Sequence, residues 1–211
     1  MPFSRANAEM EMKTERAFTL IELLVVIVII AILMGLAFPA FQAVRNQAKK
    51  TQAKNDLVEI VTAVNAFFTE YGKYPLPATA TSDATATYGP TFTTNKTLFD
   101  ELRGITFALN TRQIVFISPA EAKDPTNPRA GIAGTTSASV GQYFDPWGTA
   151  YSISIDWDYD NQVTNPYTAD TGAGAAQIRT GVIAWSLGKD KKGGTASKTS
   201  ADSNDDIISW Q

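Results

Sequence analysis

The 211-residue sequence contains no cysteine and no histidine. Without cysteine the chain can form no disulfide, no thiolate nucleophile and no zinc site of the cysteine type. Without histidine it lacks the most frequent general base and the most frequent ligand of transition metals. These absences exclude thiol enzymes, enzymes with a histidine-containing triad and histidine-dependent zinc enzymes. A binding protein, a structural protein or a carboxylate-based enzyme remains.

The chain also lacks an excess of positive charge, because 18 Lys and Arg stand against 21 Asp and Glu, a net charge of −3. Proteins that bind nucleic acids cluster Lys and Arg to neutralise phosphates, so we expect no nucleic acid among the partners. Neither a nucleophile-elbow motif nor a P-loop occurs in the sequence. The sequence offers no catalytic residues, and we predict that the chain is not an enzyme.

Charge is missing altogether from the segment Leu23 to Phe38 (LLVVIVIIAILMGLAF). Extended to Ala17 and Phe41, the segment contains a single charged residue, Glu22. About 20 apolar residues match the thickness of a bilayer core of about 30 Å. A cleaved secretory signal, the alternative, has a shorter apolar core of roughly 7–15 residues followed by a small-residue cleavage site. The sequence therefore predicts a retained transmembrane helix over 18–41.

A helical pattern continues beyond the apolar run. Apolar residues keep a spacing of three or four up to Tyr71, where Gly72 and the following prolines end the helix. We expect one helix from Phe18 to Tyr71, with 42–77 joining the membrane segment to a soluble domain. Its apolar stripe comprises Val44, Ala48, Leu57, Ile60, Val61, Val64, Phe67, Phe68 and Tyr71.

The remaining segment, 78–211, is rich in loop-forming residues and contains only short structured runs. We predict a short helix over Leu98–Arg103 and strands over Ile114–Ile117, Tyr151–Ile155 and Val182–Trp185. The four tryptophans lie in or beside such runs, so we expect them in the core: Trp147, Trp157, Trp185 and Trp210. The predicted fold is α+β, a long N-terminal helix packed on a small antiparallel sheet with long loops.

Glu22 requires an explanation, because an acidic side chain in a membrane helix costs about 2.5–3.5 kcal/mol. No Lys or Arg between Arg16 and Arg45 could pair with it within the span. A new α-amine at Phe18 would be a partner, since it would lie four residues before Glu22 on the same helix face. The alternative is a carboxylate at the headgroup boundary that reaches water.

The segment Arg16–Glu22 (RAFTLIE) and the apolar run after it resemble the class III signal of type IV pilins and type II secretion pseudopilins. The resemblance implies that a prepilin peptidase cleaves between Ala17 and Phe18, methylates the new N-terminus and removes the leader 1–17. It also implies that Glu22 interacts with the amine of a neighbouring subunit during assembly. This sequence differs from the usual family pattern in having Ala17 in place of glycine.

Four further motifs and Trp210 resemble the soluble domain of the major, G-type pseudopilin of type II secretion. The motifs are Tyr71–Pro75 (YGKYP), Asp145–Gly148 (DPWG), Ser186–Asp190 (SLGKD) and Ser203–Ile207 (SNDDI). This implies a single-pass protein of the inner membrane with its soluble domain in the periplasm. It would polymerise with itself into a helical filament and contact minor pseudopilins and an inner-membrane assembly platform. Two alternatives stay open, a type IV pilin of a surface fibre for adhesion, motility or DNA uptake, and a membrane-tethered binding domain. Major pilins commonly carry a C-terminal disulfide, so the absence of cysteine favours the pseudopilin.

The polar tail contains four carboxylates, Asp190, Asp202, Asp205 and Asp206, and a ligand set of oxygens alone suits Ca²⁺. Composition by itself indicates a solvated acidic loop. The resemblance to G-type pseudopilins implies a calcium site instead, with the Leu187 carbonyl, Asp190, Ser203 and Asp205 as ligands. The loop between Asp190 and Ser203 is longer than is usual in that family.

A second acidic run, Asp156–Asn161, begins like an EF-hand loop. Asn161 stands where the sixth position requires glycine, and Tyr167 stands where the twelfth requires glutamate. We therefore predict a polar hairpin connection there.

Overall fold

A computed structural model describes residues 18–167, 171–193 and 202–211. The chain forms two compact units, Met1–Arg45 and Asn46–Gln211. The predicted leader 1–17, with Ala17, lies outside the described residues. The first unit consists, in its described part, of the beginning of one long helix, and the second unit contains the rest of that helix and all the strands.

The long helix, α1, spans Leu20–Tyr71 and continues through Gly35 and Pro39 without interruption. In the first unit, its large apolar side chains from Leu20 to Leu33 are each 46–82% exposed. Within the described part of the chain, no helix combines the length and the apolarity needed to cross a membrane. The structure thus does not confirm the membrane segment predicted for 18–41.

In the second unit, α1 buries one apolar face. Leu57, Ile60, Val64 and Phe67 are completely inaccessible, and their spacing of three or four places them on one side of the helix. The prediction of the stripe is wrong for Val44 and Ala48, which are exposed. The buried part of the stripe begins at Ala53, and the helix before it is not covered by the second unit's core.

Within the described residues, eight short strands and a second α-helix follow α1. They are β1 Thr87–Tyr88, α2 Asn95–Leu102, β2 Gly131–Ile132, β3 Tyr143–Phe144, β4 Ser152–Ile155, β5 Val163–Thr164, β6 Gln177–Ile178, β7 Val182–Ser186 and β8 Ile207–Ile208. An antiparallel sheet has the order β1-β4-β7-β8, while β2–β3 and β5–β6 form separate antiparallel ribbons. The predicted α+β fold, a helix packed with a small antiparallel sheet, is confirmed.

The central sheet is covered by apolar side chains on both faces, because neighbouring residues of a strand point to opposite sides. One face packs in the main core with α1 and α2, through Ile153, Ile155, Val182 and Ala184. The other face forms a second cluster, which contains Val163, Tyr167, Ala173, Ile183, Trp185 and Ile208. Both central strands, β4 and β7, are therefore fully buried.

The last strand is attached to α1 as well as to the sheet. The Lys54 ammonium of α1 donates to the Ile208 carbonyl at 2.7 Å and also contacts the Gln211 carbonyl. Burial lowers the pKa of Lys54. The bond connects residues that are 154 positions apart in the sequence.

Two local predictions are wrong. Ile114–Ile117 is not a strand, because the N–H groups of Phe116 and Ile117 donate to the Leu102 carbonyl at the end of α2 instead of to a neighbouring strand. Trp157 is 39% exposed, whereas Trp147 and Trp185 are buried. The Trp157 indole N–H donates to the Ala80 carbonyl at 3.1 Å, which holds the ring at the surface.

Candidate assembly and metal-binding sites

Glu22 closes the N-terminus of α1. The Glu22 Oε2 atom accepts hydrogen bonds from the Thr19 backbone N–H at 2.8 Å and from the Thr19 hydroxyl at 2.7 Å. The Glu22 N–H donates in return to Thr19 Oγ1 at 3.3 Å. Since α1 begins at Leu20, these contacts form a capping box, in which the residue before the helix and its third residue satisfy each other's backbone N–H groups.

The sequence Thr19-x-x-Glu22 has the pattern of a capping box, a partner for this carboxylate other than the predicted amine or water. Phe18, the residue predicted to become the N-terminus, is 83% exposed. The carboxylate therefore has a partner within its own chain at the position where the family resemblance implies a contact between subunits.

The C-terminal turn brings three carboxylates together. Oxygen atoms of Asp190, Asp205 and Asp206 lie within 4.8 Å of one another. Gly188 permits this close approach, since its φ is +64° and a Cβ atom there would lie 2.5 Å from the Asp205 carbonyl oxygen. Two of the predicted ligands, Asp190 and Asp205, thus lie together, and Asp206 is a third that the predicted set omitted.

Backbone and side-chain donors fix the positions of these carboxylates. Asp205 Oδ2 accepts from the N–H groups of Lys189 at 2.6 Å and Asp190 at 3.2 Å. Asp206 Oδ2 accepts from the Tyr167 hydroxyl at 2.7 Å. Burial and the adjacent Asp206 carboxylate raise the pKa of Tyr167, so the phenol keeps its proton and remains a donor.

The other two predicted ligands lie beside this cluster. Ser203 is completely buried, and its carbonyl accepts from the Asp206 N–H at 3.2 Å in the same turn. Leu187 directly follows β7, and its side chain packs against the second cluster. A group of carboxylate, hydroxyl and carbonyl oxygens without nitrogen or sulfur matches the preference of Ca²⁺, so these residues fit the expected metal.

The predicted hairpin connection contains a second group of carboxylates. Oxygen atoms of Asp156 and Asp158 lie within 4.8 Å of each other and of Asp83, which no sequence motif indicated. Asp156 accepts from the N–H groups of Tyr159 at 2.7 Å and Asn161 at 2.8 Å. These bonds close a turn after β4, and side-chain acceptors of this kind are ordinary in turns. The prediction of a hairpin is wrong, because β4 pairs with β1 and β7 while the next strand, β5, pairs with β6.

Two of the sequence motifs are joined by one buried hydrogen bond. Asp145 of the DPWG motif is fully buried, and its Oδ2 accepts from the hydroxyl of Ser186, the first residue of SLGKD, at 2.6 Å. Its Oδ1 accepts from the N–H groups of Trp147 and Thr149, both at 2.9 Å. Burial raises the pKa of Asp145, and these hydrogen bonds oppose the rise. The motifs therefore hold the fold together rather than form a catalytic site.

The N-terminal segment of the chain matches a known sequence motif. Residues 12–38 match the family model described as the prokaryotic N-terminal methylation motif. Fimbrial protein Q of Moraxella bovis is 39% identical over 82 residues, which are 39% of this chain and 52% of that protein. The type IV major pilin protein PilA of Myxococcus xanthus is 42% identical over 59 residues, 28% of this chain and 27% of that protein.

A type II secretion protein is similar to this chain at a comparable sequence identity. Core protein G of the type II secretion system of Pseudomonas aeruginosa is 38% identical over 66 residues, 31% of this chain and 46% of that protein. The chain thus spans about half or less of the length of the curated relatives it matches. No solved structure matches it.

These findings show that the chain is similar to pilin-like proteins over part of its length. It carries a prepilin-type methylation motif and is similar both to type IV pilins and to core protein G. The resemblance expected from the sequence is confirmed. None of the three relatives is named as an enzyme, and all three names denote fibre or secretion-system components.

Proposed function

We propose that this protein is the structural subunit of a type II secretion pseudopilus, which polymerises through the first part of α1 to support protein export. The observation that carries this proposal is the exposed apolar surface of α1 from Leu20 to Leu33, which lies within the matched methylation motif, 12–38. Soluble monomers rarely expose apolar patches above a few hundred Å². In a filament, the same segments of neighbouring copies cover this surface.

Before assembly, the lipid of the inner membrane covers the same segment, as proposed for 18–41, with the second unit in the periplasm. A prepilin peptidase removes 1–17 and methylates Phe18. The new amine of one copy then pairs with Glu22 of its neighbour. The assembled filament stands in the periplasm, in contact with minor pseudopilins and an inner-membrane assembly platform.

Two observations favour a pseudopilus over a surface pilus. The motifs of the G-type subunit are physically connected in this chain, through the bond between Asp145 and Ser186. The chain also has no cysteine for the disulfide that is common in major pilins. A surface fibre is the second candidate, since relatives of both kinds are similar over comparable lengths. A membrane-tethered binding domain is the third.

We also propose that the C-terminal turn binds Ca²⁺. Asp190, Asp205 and Asp206 supply carboxylate oxygens, and Ser203 and the Leu187 carbonyl are the remaining candidates. The metal would neutralise carboxylates held close together and fasten the turn to the end of β7. Its role would be structural.

Deletion of the gene in its native bacterium tests the function. A pseudopilus subunit is required for export, so secreted proteins should accumulate in the periplasm while surface fibres persist. Complementation with the wild-type gene should restore export, and Glu22→Ala should not. Normal export together with the loss of surface fibres would overturn the pseudopilus in favour of the pilus.

A further inference from the structure

Two exposed surfaces of the second unit carry opposite charge. The first, termed here the acidic aromatic face, comprises Tyr74, Asp83 and 156–160. The second, termed the basic apolar loop, is 103–115, which contains two arginines and no acidic residue. Arg112 pairs with Glu70 of α1, so the charge available to a partner is that of Arg103. Each surface combines charge with exposed apolar side chains, and neither is needed to explain the helix-mediated assembly proposed above.

Hydrogen bonds and ring stacking hold the acidic aromatic face, and among the described residues no ion pair neutralises it. Trp157 is 39% and Tyr159 47% exposed. The Tyr159 ring stacks on the Tyr74 ring with 5.6 Å between centroids. The backbone N–H of Trp157 donates to Asp83 Oδ1 at 2.9 Å. The ion pairs among the described residues are Lys96–Asp100, Arg112–Glu70 and Lys192–Asp202, and none of them includes a carboxylate of this face.

The basic apolar loop is also held by hydrogen bonds, although its apolar side chains are exposed. Ile105, Phe107 and Val115 are 52%, 66% and 61% exposed. The buried Asn110 side chain donates to the carbonyls of Glu101 and Ile114, both at 2.7 Å, and so fixes the loop. Docking such a preformed surface costs little ordering entropy.

The two surfaces lie on different sides of the end of α1. Phe67 packs against Phe116, next to the basic apolar loop, at 5.4 Å between ring centroids. Phe68 packs against Tyr159 of the acidic aromatic face at 6.2 Å. Consecutive helical residues point about 100° apart, so one copy presents the two surfaces in different directions.

We propose that the acidic aromatic face of one copy binds the basic apolar loop of the next copy. The charges are complementary, and Arg103, which is in none of the described ion pairs, can place its guanidinium near Asp158 and over an aromatic ring. Two different complementary patches on one subunit form a heterologous contact, which repeats along an open filament. This inference rests on the proposed polymerisation and identifies a contact that acts beside the helical core.

Cysteine cross-linking tests the contact, because the native chain provides no background thiol. Full-length Phe107→Cys and Asp158→Cys are co-produced in the native bacterium, and the assembled protein is treated with a short thiol cross-linker. We expect a covalent dimer when both variants are present and none with either variant alone, since the contact is heterologous. Phe107→Cys with Lys123→Cys is the control pair and should give no dimer.

A charge exchange provides a second, independent measurement. Arg103→Asp and Asp158→Arg should each lower the filament yield about fivefold, by placing like charges opposite each other. The double variant should return to within about twofold of wild type. Filaments that form normally without the mixed cross-link, or a double variant no better than the singles, would overturn this contact and leave the proposed function standing. A wild-type chain that forms no filament would overturn both.

Discussion

The Tyr151 hydroxyl donates to the Asp56 carboxylate at 2.7 Å and thereby joins the start of β4 to the middle of α1. Tyr143 at β3 is a second donor to the same carboxylate. Burial raises the pKa of Asp56, the two phenols lower it in part, and Asp145 raises it further. The neighbouring Glu59 also has a raised pKa, through burial and the charge of Asp56. The contact between α1 and the strands therefore includes the Asp56 carboxylate, which accepts hydrogen bonds from the Tyr151 and Tyr143 hydroxyls.

Tyr151→Phe should destabilise the second unit. The substitution removes a donor to a half-buried carboxylate, and the loss of a hydrogen bond to a charged group costs about 1–3 kcal/mol. Denaturant unfolding of the fragment 46–211 measures the change. The effect should shrink in an Asp56→Asn background, because the charge that needs the donor is gone. An equal loss in both backgrounds would show that Tyr151 acts only through packing.

Asp56 should make the stability depend on pH in a defined direction. Because its pKa is raised in the folded state, the folded chain binds more protons than the unfolded chain between the two pKa values. The contribution of Asp56 is therefore most favourable below its ordinary pKa and is lost as the pH rises through the folded pKa. Unfolding of wild type and Asp56→Asn from pH 7 to pH 3.5 should show wild type gaining relative to the variant as the pH falls. A difference in unfolding free energy between the two proteins that does not change with pH would contradict a raised pKa of Asp56.

Calcium should raise the melting temperature of the fragment 46–211, and a chelator should lower it. A ligand that binds only the folded state stabilises it by about 2.7 kcal/mol at 100 times its Kd. Asp190→Ala, Asp205→Ala and Asp206→Asn should abolish the response, while Asp160→Ala should retain it. Magnesium should substitute poorly, since it requires a tighter octahedral shell. Melting curves unchanged by millimolar calcium would remove the metal from the proposal.

The two contacts of Glu22 can be separated by substitution. Glu22→Gln keeps an acceptor for the capping box but removes the charge, so filament yield should fall although α1 is still capped. Thr19→Val removes the side-chain cap, at a cost of about 1 kcal/mol, and keeps the charge. Its filament yield should stay close to wild type. Electron microscopy of sheared filaments measures the filament yield of both variants. A lower yield for Thr19→Val than for Glu22→Gln would show that Glu22 acts only by capping the helix.

Processing should occur between Ala17 and Phe18. Mass spectrometry of the protein extracted from membranes should identify an N-methylated Phe18 as the first residue. In cells without the prepilin peptidase, the same chain should retain Met1. Full-length protein in peptidase-containing cells would show that the methylation motif is not used.

The sequence predicted those parts of the fold that follow from local pattern. The apolar run and the spacing of three or four from Leu57 to Tyr71 determine α1. β-Branched residues mark β4 and β7. Two-residue strands such as β1 and β8 could not be predicted, because their partners rather than their own side chains define them. Ile114–Ile117 has the composition of a strand, but the end of α2 takes its hydrogen bonds.

The candidate metal site was predictable only where its residues belong to a local sequence motif. Asp190 and Asp205 were selected by motif, and the structure places them together. Asp206 joins them through its position in the turn, where Tyr167, 39 residues earlier, holds it. Asp83 similarly meets Asp156 across a distance in sequence that no local pattern reveals. Contacts of this kind depend on tertiary packing.

The bond between Lys54 and the Ile208 carbonyl has a consequence for the order of folding. The helix that contributes Leu57, Ile60, Ala63, Val64 and Phe67 to the main core is made first, yet the bond joins Lys54 to a residue 154 positions later. Contacts between such distant residues form slowly, because a long loop must close before they contribute. During synthesis, the side of α1 around Lys54 therefore lacks this contact until Ile208 has been added. Any factor that protects this part of the newly made chain has to act within this interval.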